Sequence, residues 1–188
     1  LKRLYYWFHR LTSHPQERGE YSSGYWQYRI RREALELCRG TKGKILEIGC
    51  GGGLFLIPLA RENPDLEVWG IDSEKTGLKI IEKKAKSEGL KNINLSLQDA
   101  YNLSFKDASF DTVVCINFLL NTESIKEVKK ILAQMKRICK NSGVLVFEFR
   151  NSLNMFFVLK YKLAKYYDAS IRWQYLNTYN PRQIETIL

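Results

Sequence analysis

Apolar positions in the central part of the chain follow two patterns that alternate. Short, nearly continuous apolar runs predict buried strands, and between them apolar residues recur every three or four positions, as on one face of a helix. The predicted strands cover residues 44–48, 66–72, 93–100, 110–120 and 143–149. Strands that alternate with helices in this way predict an α/β fold with a Rossmann-like, doubly wound and mainly parallel sheet, joined by right-handed crossovers.

Helical spacing also extends into both flanks of this alternating region. The chain predicts an amphipathic helix, a loop, a second helix, three helices between the strands, and two more after the last strand. The loop covers residues 12–24. The helices, in chain order, cover 1–11, 26–38, 54–61, 74–88, 125–139, 153–167 and 181–188. For the helix that begins near residue 125, we expect Asn121 or Thr122 to cap its N-terminus. The length of 188 residues fits one domain with a sizeable core.

The first predicted strand runs directly into a glycine-rich turn, with the sequence LEIGCGGG from Leu46 to Gly53. Glycines let the backbone turn sharply and let a ligand lie against bare main chain. A helix follows, so backbone N–H groups would face the anionic part of a ligand. The spacing fits neither the dinucleotide fingerprint G-x-G-x-x-G nor the P-loop.

Polar residues end the later predicted strands as well. Asp72 lies 19 residues after Gly53, close to the ~20 expected of an acidic residue that binds ribose hydroxyls. Asp99 and Asn117 lie at the carboxyl ends of the third and fourth strands. Because ligands of open parallel sheets bind outside the carboxyl ends of the strands, we expect these side chains to share one crevice with the glycine turn.

The ordered set Glu47-x-Gly49-x-Gly51-x-Gly53, Asp72 and Asp99 resembles the class I methyltransferases that depend on S-adenosylmethionine. The nearest resemblance is to the small-molecule group that includes ubiquinone and menaquinone pathway enzymes. One departure is the stretch KNSG at residues 140–143, where many members carry Pro-Gly-Gly. The resemblance implies S-adenosylmethionine as cofactor and an enzyme that transfers its methyl group to a small molecule.

The same resemblance assigns expected roles to individual residues. Glycines 49 and 51 would hold the methionine part of the cofactor and Glu47 its amino group, while Asp72 would bind the ribose and Asp99 the adenine amine. The full expected cofactor set is Glu47, Gly49, Cys50, Gly51, Gly53, Asp72, Ser73, Asp99, Ala100 and Asn117.

The resemblance also implies how the chain is organised. We expect an N-terminal helical lid over residues 1–43, a cofactor-binding core over 44–150 and a substrate-side insertion over 151–180. The class normally ends with a sixth strand and an antiparallel seventh, which we expect to be missing from this chain.

Charge and aromatic residues point to the kind of acceptor. The chain carries a net charge of +10, and most of this surplus, with most of the aromatic residues, lies in the flanks. A basic and aromatic lid suits an acceptor that is anionic, planar or both. Three acceptors stay open: a small acidic or phenolic metabolite, a lipid or quinone met at an anionic membrane surface, and RNA.

Two observations bear on the larger partners. The helix 1–11 is of the basic, aromatic kind that lies on membranes, although packing against the sheet explains the same pattern. The pI of about 9.4 is compatible with RNA, but the catalytic motifs of nucleic-acid methyltransferases and any block of Lys and Arg are absent from the sequence. A module that binds S-adenosylmethionine without catalysis is the remaining alternative.

On the acceptor side, the sequence offers few groups for chemistry. His14 is the candidate base, Tyr21 and Tyr25 are candidates to line the acceptor site, and Arg150 is a candidate to meet an acidic group. The four cysteines lack a C-x-x-C pair and a companion His cluster, so we expect no metal site and free thiols in a reducing cytoplasm.

Overall fold

The computed structural model describes residues 14–17, 24–156, 158, 159, 162 and 176–188. The predicted helix 1–11 and Tyr21 lie outside these residues, as does much of the predicted helix 153–167. The helices are α1 (Tyr25–Leu37), α2 (Leu56–Glu62), α3 (Lys75–Glu88), α4 (Ile125–Ile138) and α5 (Pro181–Glu185). The strands are β1 (Lys44–Ile48), β2 (Glu67–Asp72), β3 (Ile93–Leu97), β4 (Phe110–Cys115) and β5 (Cys139–Phe147).

The five strands form one sheet in the order β3-β2-β1-β4-β5. All four neighbouring pairs are parallel, so the predicted Rossmann-like sheet is confirmed. The chain leaves β1 toward β2 and β3 on one side and returns to β4 and β5 on the other. The topological switch point therefore lies between β1 and β4, where open α/β sheets bind their ligands.

Each face of the sheet carries its own hydrophobic core because side chains alternate along a strand. In β1, Ile45 points into the core covered by α1, α2 and α3. Leu46 and Ile48 point into the opposite core, which α4 and α5 cover. The result is a three-layer arrangement in which the helix stripes predicted from the sequence face the sheet.

Several predicted boundaries are wrong: β3 ends at Leu97 and β4 at Cys115, earlier than predicted, and two further differences lie around α4. The N-cap of α4 is Ser124, whereas residues 119–121 form a short 3-10 helix, so neither Asn121 nor Thr122 caps α4. At the other end of α4, β5 begins at Cys139, four residues earlier than predicted. The register passes from Phe110 paired with Cys139 to Thr112 paired with Val144, which makes the KNSG stretch a bulge within the strand.

The C-terminal segment, residues 176–188, packs beside the end of β5. The Tyr179 N–H donates to the Arg150 carbonyl at 2.7 Å, and the Ser152 N–H donates to the Tyr179 carbonyl at 3.0 Å. The buried hydroxyl of Tyr179 lies 2.6 Å from Oγ1 of Thr122. This segment therefore holds the residues that follow β4 against those that follow β5.

Candidate functional site

The turn after β1 adopts a backbone conformation that favours glycine. Gly49, Gly51 and Gly53 have φ angles of 74°, 48° and 80°, in the left-handed region where a Cβ atom is costly. The N–H groups of Gly49 and Cys50 both donate to the Ile71 carbonyl at 2.9 Å. These bonds attach the turn to the end of β2.

The glycines also differ in what surrounds them. A methyl group at Gly49 would lie 2.2 Å from the Phe118 ring, and one at Gly77 of α3 would lie 2.5 Å from the Gly51 carbonyl oxygen. A methyl group at Gly51 would meet no described atom within 4 Å. The turn is therefore packed against Phe118 and α3, while Gly51 faces open space.

Asp72 connects the end of β2 to this turn. Its Oδ2 accepts the Gly51 N–H at 2.8 Å, and its Oδ1 accepts the Glu74 N–H at 2.9 Å. A carboxylate oxygen has two lone pairs, so each oxygen keeps capacity for a further donor. The carboxylate is half-buried and lies at the rim of a pocket.

That pocket brings together residues at or just after the ends of four strands, β1 to β4. It is lined by Gly49, Ile71, Asp72, Ser73, Gln98, Asp99, Ala100, Tyr101 and Phe118. Five of the residues predicted for the cofactor are among them. Cys50, Gly51 and Gly53 belong to the adjoining turn, and Asn117 immediately precedes Phe118.

Four pocket residues were not predicted from the sequence: Ile71, Gln98, Tyr101 and Phe118. Tyr101 is placed by Asp99, whose Oδ1 accepts the Tyr101 N–H at 2.9 Å. Gln98 holds the following loop, because its Oε1 accepts the Ser104 N–H at 2.9 Å. An Asp followed two residues later by Tyr is a local turn signal that points to Tyr101, whereas Phe118 reaches the glycine turn only through the tertiary fold.

Glu47 lies within β1 and is buried, with 5% of its surface exposed. Its Oε2 has no hydrogen-bond partner among the described residues. Burial raises the pKa of the Glu47 carboxyl to about 8, against the opposing effect of Arg31 and with a further increase from Asp72. A buried, unsatisfied acceptor is rare in native proteins and marks a place for a polar partner.

Asn117 and Arg150 belong to one buried network. The Arg150 guanidinium pairs with Oε1 of Glu148 and donates to Oδ1 of Asn117 at 3.2 Å. The other Glu148 oxygen accepts the Asn117 N–H at 3.0 Å. Burial raises the pKa of the Glu148 carboxyl, although Arg150 and the Asn117 N–H oppose this change. Arg150 was expected on the acceptor side, but it is only 2% exposed.

His14 precedes α1 by eleven residues, packs against the first turn of that helix, and is not among the residues that line the pocket. Its ring stacks on Tyr28 with centroids 3.5 Å apart and meets the edge of Tyr25 at 5.3 Å. Tyr25 is exposed. The roles expected of His14 and Tyr25 stay predictions, and Tyr21 lies outside the described residues.

The cysteines and acidic side chains are the groups that could bind a metal ion. Among the described residues, no group of three or more His, Cys, Asp or Glu side chains is arranged to hold a metal ion. All four cysteines are free and buried, and burial raises the pKa of each thiol. Thiols of raised pKa are poor nucleophiles.

The family comparison points to one kind of protein. The sequence profile of the methyltransferase domain matches residues 45–143. The demethylmenaquinone methyltransferase of Geobacillus kaustophilus is 31% identical over 147 residues, which are 77% of this chain and 62% of that protein. The chain therefore spans somewhat less than two thirds of the length of this relative.

Two solved structures are similar in fold. An S-adenosylmethionine-dependent methyltransferase from Methanosarcina mazei is 24% identical, with a TM-score of 0.67 over 82% of this chain and 81% of that chain. The magnesium protoporphyrin IX methyltransferase of Synechocystis PCC 6803, solved with bound SAH, is 19% identical, with a TM-score of 0.67 over 86% of this chain and 70% of that chain.

Proposed function

Because the chain belongs to the methyltransferase domain family of class I enzymes that depend on S-adenosylmethionine, we propose that it transfers the methyl group of that cofactor to a small-molecule acceptor. The observation that carries the proposal is the convergence at the switch point of the sheet. There the open face of Gly51, the carboxylate of Asp72 and the pocket wall formed by Asp99 and Ala100 meet.

The residues at this place fit the chemical groups of the cofactor. Asp72 has free lone pairs on both oxygens, as a pair of ribose hydroxyls requires. Asp99 and Ala100 lie on the pocket wall, where the carboxylate of Asp99 would accept the adenine amine. The turn 49–53 would receive the methionine part, because Gly51 leaves space there that a side chain would fill.

Glu47 would act on the amino group of the cofactor. Its buried Oε2 has no hydrogen-bond donor among the described residues. The ammonium group of the cofactor would supply that donor. A positive charge placed near Glu47 favours the ionised carboxylate and so lowers a pKa that burial has raised. We therefore assign Glu47 to orientation of the cofactor rather than to proton transfer from the acceptor.

When bound, S-adenosylmethionine supplies a methyl group on a positive sulfonium that is already activated for displacement. The part left to the protein is to hold the acceptor and the cofactor in line and to exclude water, which removes about 7–11 kcal/mol from a barrier in well-oriented systems. His14 is the base that the sequence offers for an acceptor that must lose a proton, and this role is a proposal.

For the acceptor we propose an apolar, aromatic or anionic small molecule, met at or near a membrane surface. The relative from Geobacillus is named for a menaquinone precursor. After β5, this chain exposes several apolar side chains in close succession: Leu153, Met155, Phe156 and Leu159. Exposed apolar clusters mark interaction sites, and Lys162 follows them with the positive charge that anionic lipid headgroups attract. None of the described helices is long and apolar enough to cross a bilayer.

The direct test is methyl transfer from labelled S-adenosylmethionine to a panel of quinol precursors, phenolic acids and RNA. We expect label in the lipid-soluble or phenolic products and none in RNA. Label in RNA alone would overturn the small-molecule assignment. Cofactor binding without transfer to any acceptor would instead favour a non-catalytic module.

A further inference from the structure

The network of Arg150, Glu148 and Asn117 joins the ends of two neighbouring strands. A buried charge is costly unless it is paired and its remaining donors are bonded. Arg150 meets this condition by spanning Glu148, which follows β5, and Asn117, which follows β4. Glu148 completes a closed triangle, because its second oxygen accepts the Asn117 N–H.

The triangle holds Asn117 in an uncommon backbone conformation. Its φ angle is 53°, in the left-handed region that non-glycine residues adopt at a cost. Such conformations persist only where the surroundings over-determine them. Here both the main-chain N–H and the side-chain oxygen of Asn117 are bonded to the ion pair, so the ion pair determines how the chain leaves β4.

The next residue is the one that reaches the pocket. The Phe118 ring lies so close to Gly49 that a methyl group there would approach it to 2.2 Å. The same ring lines the pocket together with residues at the ends of β2 and β3. Its position therefore decides the shape of the pocket beside the glycine turn.

We propose that Arg150 and Glu148 are positioning residues for the cofactor: they hold Asn117 so that the Phe118 ring closes one side of the cofactor pocket against Gly49. Neither member of the pair touches the cofactor in this proposal. The inference rests on the proposed function, because it assumes that the pocket receives S-adenosylmethionine.

A double-mutant cycle tests whether Arg150 acts through Phe118. The dissociation constant of SAH is measured by calorimetry for wild type, Arg150→Met, Phe118→Ala and the double variant. We expect each single change to weaken binding by about tenfold and the double variant to bind no worse than Phe118→Ala alone. Effects that multiply in the double variant, or an unchanged constant in folded Arg150→Met, would overturn the proposal.

The ion pair of Lys140 with Asp111 provides a matched control, since it joins the same two strands near their other ends, with Nζ and Oδ1 2.7 Å apart. Lys140→Met is expected to change thermal stability while the constant for SAH stays within about twofold of wild type. If Arg150→Met does not fold, Arg150→Lys replaces it, because a single ammonium group lacks the fork that spans Glu148 and Asn117. A wild-type protein that binds neither SAH nor S-adenosylmethionine would contradict the proposed function itself, before any variant is compared.

Discussion

At the scale of single residues, the carboxyl group of Glu47 lies in a place that favours its neutral form. It is buried near a positive Arg31 and a negative Asp72, and desolvation is the largest of the three effects on its pKa. Arg31, whose guanidinium also pairs with Glu17, offsets desolvation only in part. The folded protein thus binds a proton at Glu47 more tightly than the unfolded chain does.

This proton makes stability depend on pH in a defined direction. The pKa of Glu47 is about 8 in the folded state against an ordinary 4.5, so its stabilising contribution is complete below pH 4.5 and is lost as pH rises to about 8. Glu47→Gln removes the ionisation, so its free energy of unfolding should not show this decrease. Relative to wild type, we expect the variant to be more stable at pH 9 than at pH 5 by a few kcal/mol (order of magnitude). Urea unfolding at both pH values measures the difference.

The exposed Glu82 on α3 provides the control, because Glu82→Gln is expected to follow the wild-type pH dependence. A Glu47→Gln variant whose stability relative to wild type is the same at pH 5 and pH 9 would contradict the assigned protonation state.

The variant Gly51→Ala tests whether the open space beside the glycine turn receives the cofactor. Gly51→Ala places a methyl group where no described atom lies within 4 Å, so its stability cost is limited to the left-handed backbone, about 1–2 kcal/mol. We expect the methyl group to occupy cofactor space and to weaken SAH binding by about tenfold or more. Calorimetric titration measures the binding constant, and thermal unfolding measures the stability.

Gly89, which ends α3, is the matched position for Gly51. Its φ angle is 69° and a methyl group there also meets no described atom within 4 Å. Gly89→Ala is expected to cost similar stability and to leave SAH binding unchanged. Equal loss of binding in the two variants would mean that Gly51 acts through the fold alone.

Within the candidate site, the sequence singled out residues whose type carries a local signal. Gly49, Gly51, Gly53 and Asp72 are of this kind, since glycine signals a positive φ angle and an Asp at a strand end signals a charge at the sheet edge. Phe118 and Arg150 are different, because an apolar ring and a basic residue beside strand ends have many ordinary explanations. Their roles depend on which strand lies beside which, and no local pattern encodes that.

At the scale of elements, apolar periodicity predicted each of the five strands that the structure describes, although the boundaries of some were displaced. The predicted third strand extended to residue 100, but β3 ends at Leu97, which leaves Asp99 in a loop where its Oδ1 can accept the Tyr101 N–H. The early start of β5 was not predicted, because polar residues such as Asn141 and Ser142 are typical of a turn. In the structure they form a bulge, and bulges carry no strand-like alternation.

Gly143 and Gly77 illustrate a second limit at this scale. A methyl group at Gly143 would lie 2.7 Å from the Asp111 carbonyl oxygen of β4, and one at Gly77 would lie 2.5 Å from the Gly51 carbonyl oxygen. Both glycines therefore permit close approach between segments. A glycine inside a helical pattern signals such an approach, but it does not say which backbone comes near.

The attachment of the C-terminal segment makes a prediction about one hydroxyl group. The Tyr179 hydroxyl is buried, lies 2.6 Å from Oγ1 of Thr122 and donates to the Thr122 carbonyl at 3.1 Å. Tyr179→Phe removes the hydroxyl from Oγ1 and the carbonyl of Thr122, and that carbonyl keeps the Asn177 Nδ2 donor at 2.6 Å. We therefore expect a loss of about 1 kcal/mol in the free energy of unfolding. Urea denaturation is the measurement.

Tyr28→Phe provides the comparison, because the Tyr28 hydroxyl bonds an exposed Gln16 at 3.2 Å, and its loss is expected to cost less than about 0.5 kcal/mol. Equal stability of Tyr179→Phe and wild type would show that the segment is not held by this contact.

At the scale of the whole molecule, the exposed apolar residues after β5 are not among those that line the pocket. The net charge is +10, and the apolar cluster after β5 includes Phe156, which is 88% exposed. A surface that combines both features favours an anionic lipid interface. The sequence predicted the excess of charge in the flanks, but exposure of this cluster is a property of the folded chain.

Vesicle binding tests this surface. We expect the protein to sediment with vesicles that contain phosphatidylglycerol and to bind uncharged vesicles less. We expect the double variant Met155→Ser/Phe156→Ser to bind several-fold more weakly, because it removes apolar surface whose burial contributes about 25 cal/mol per Å². Leu97→Ser, which changes an exposed leucine of β3, is expected to bind as wild type does. Equal binding of all three proteins would argue against a role for the cluster.

Cofactor binding at the switch point of the sheet is the claim on which the proposed function depends, and calorimetric titration of S-adenosylmethionine and SAH into wild type and Asp72→Ala tests it most directly. We predict one binding site per chain in wild type, and binding weaker by about tenfold or more in Asp72→Ala. Asp65→Ala, which changes an exposed loop carboxylate, is the control and should bind with wild-type affinity. Absence of binding heat in the folded wild-type protein, or equal affinity in Asp72→Ala, would contradict the account.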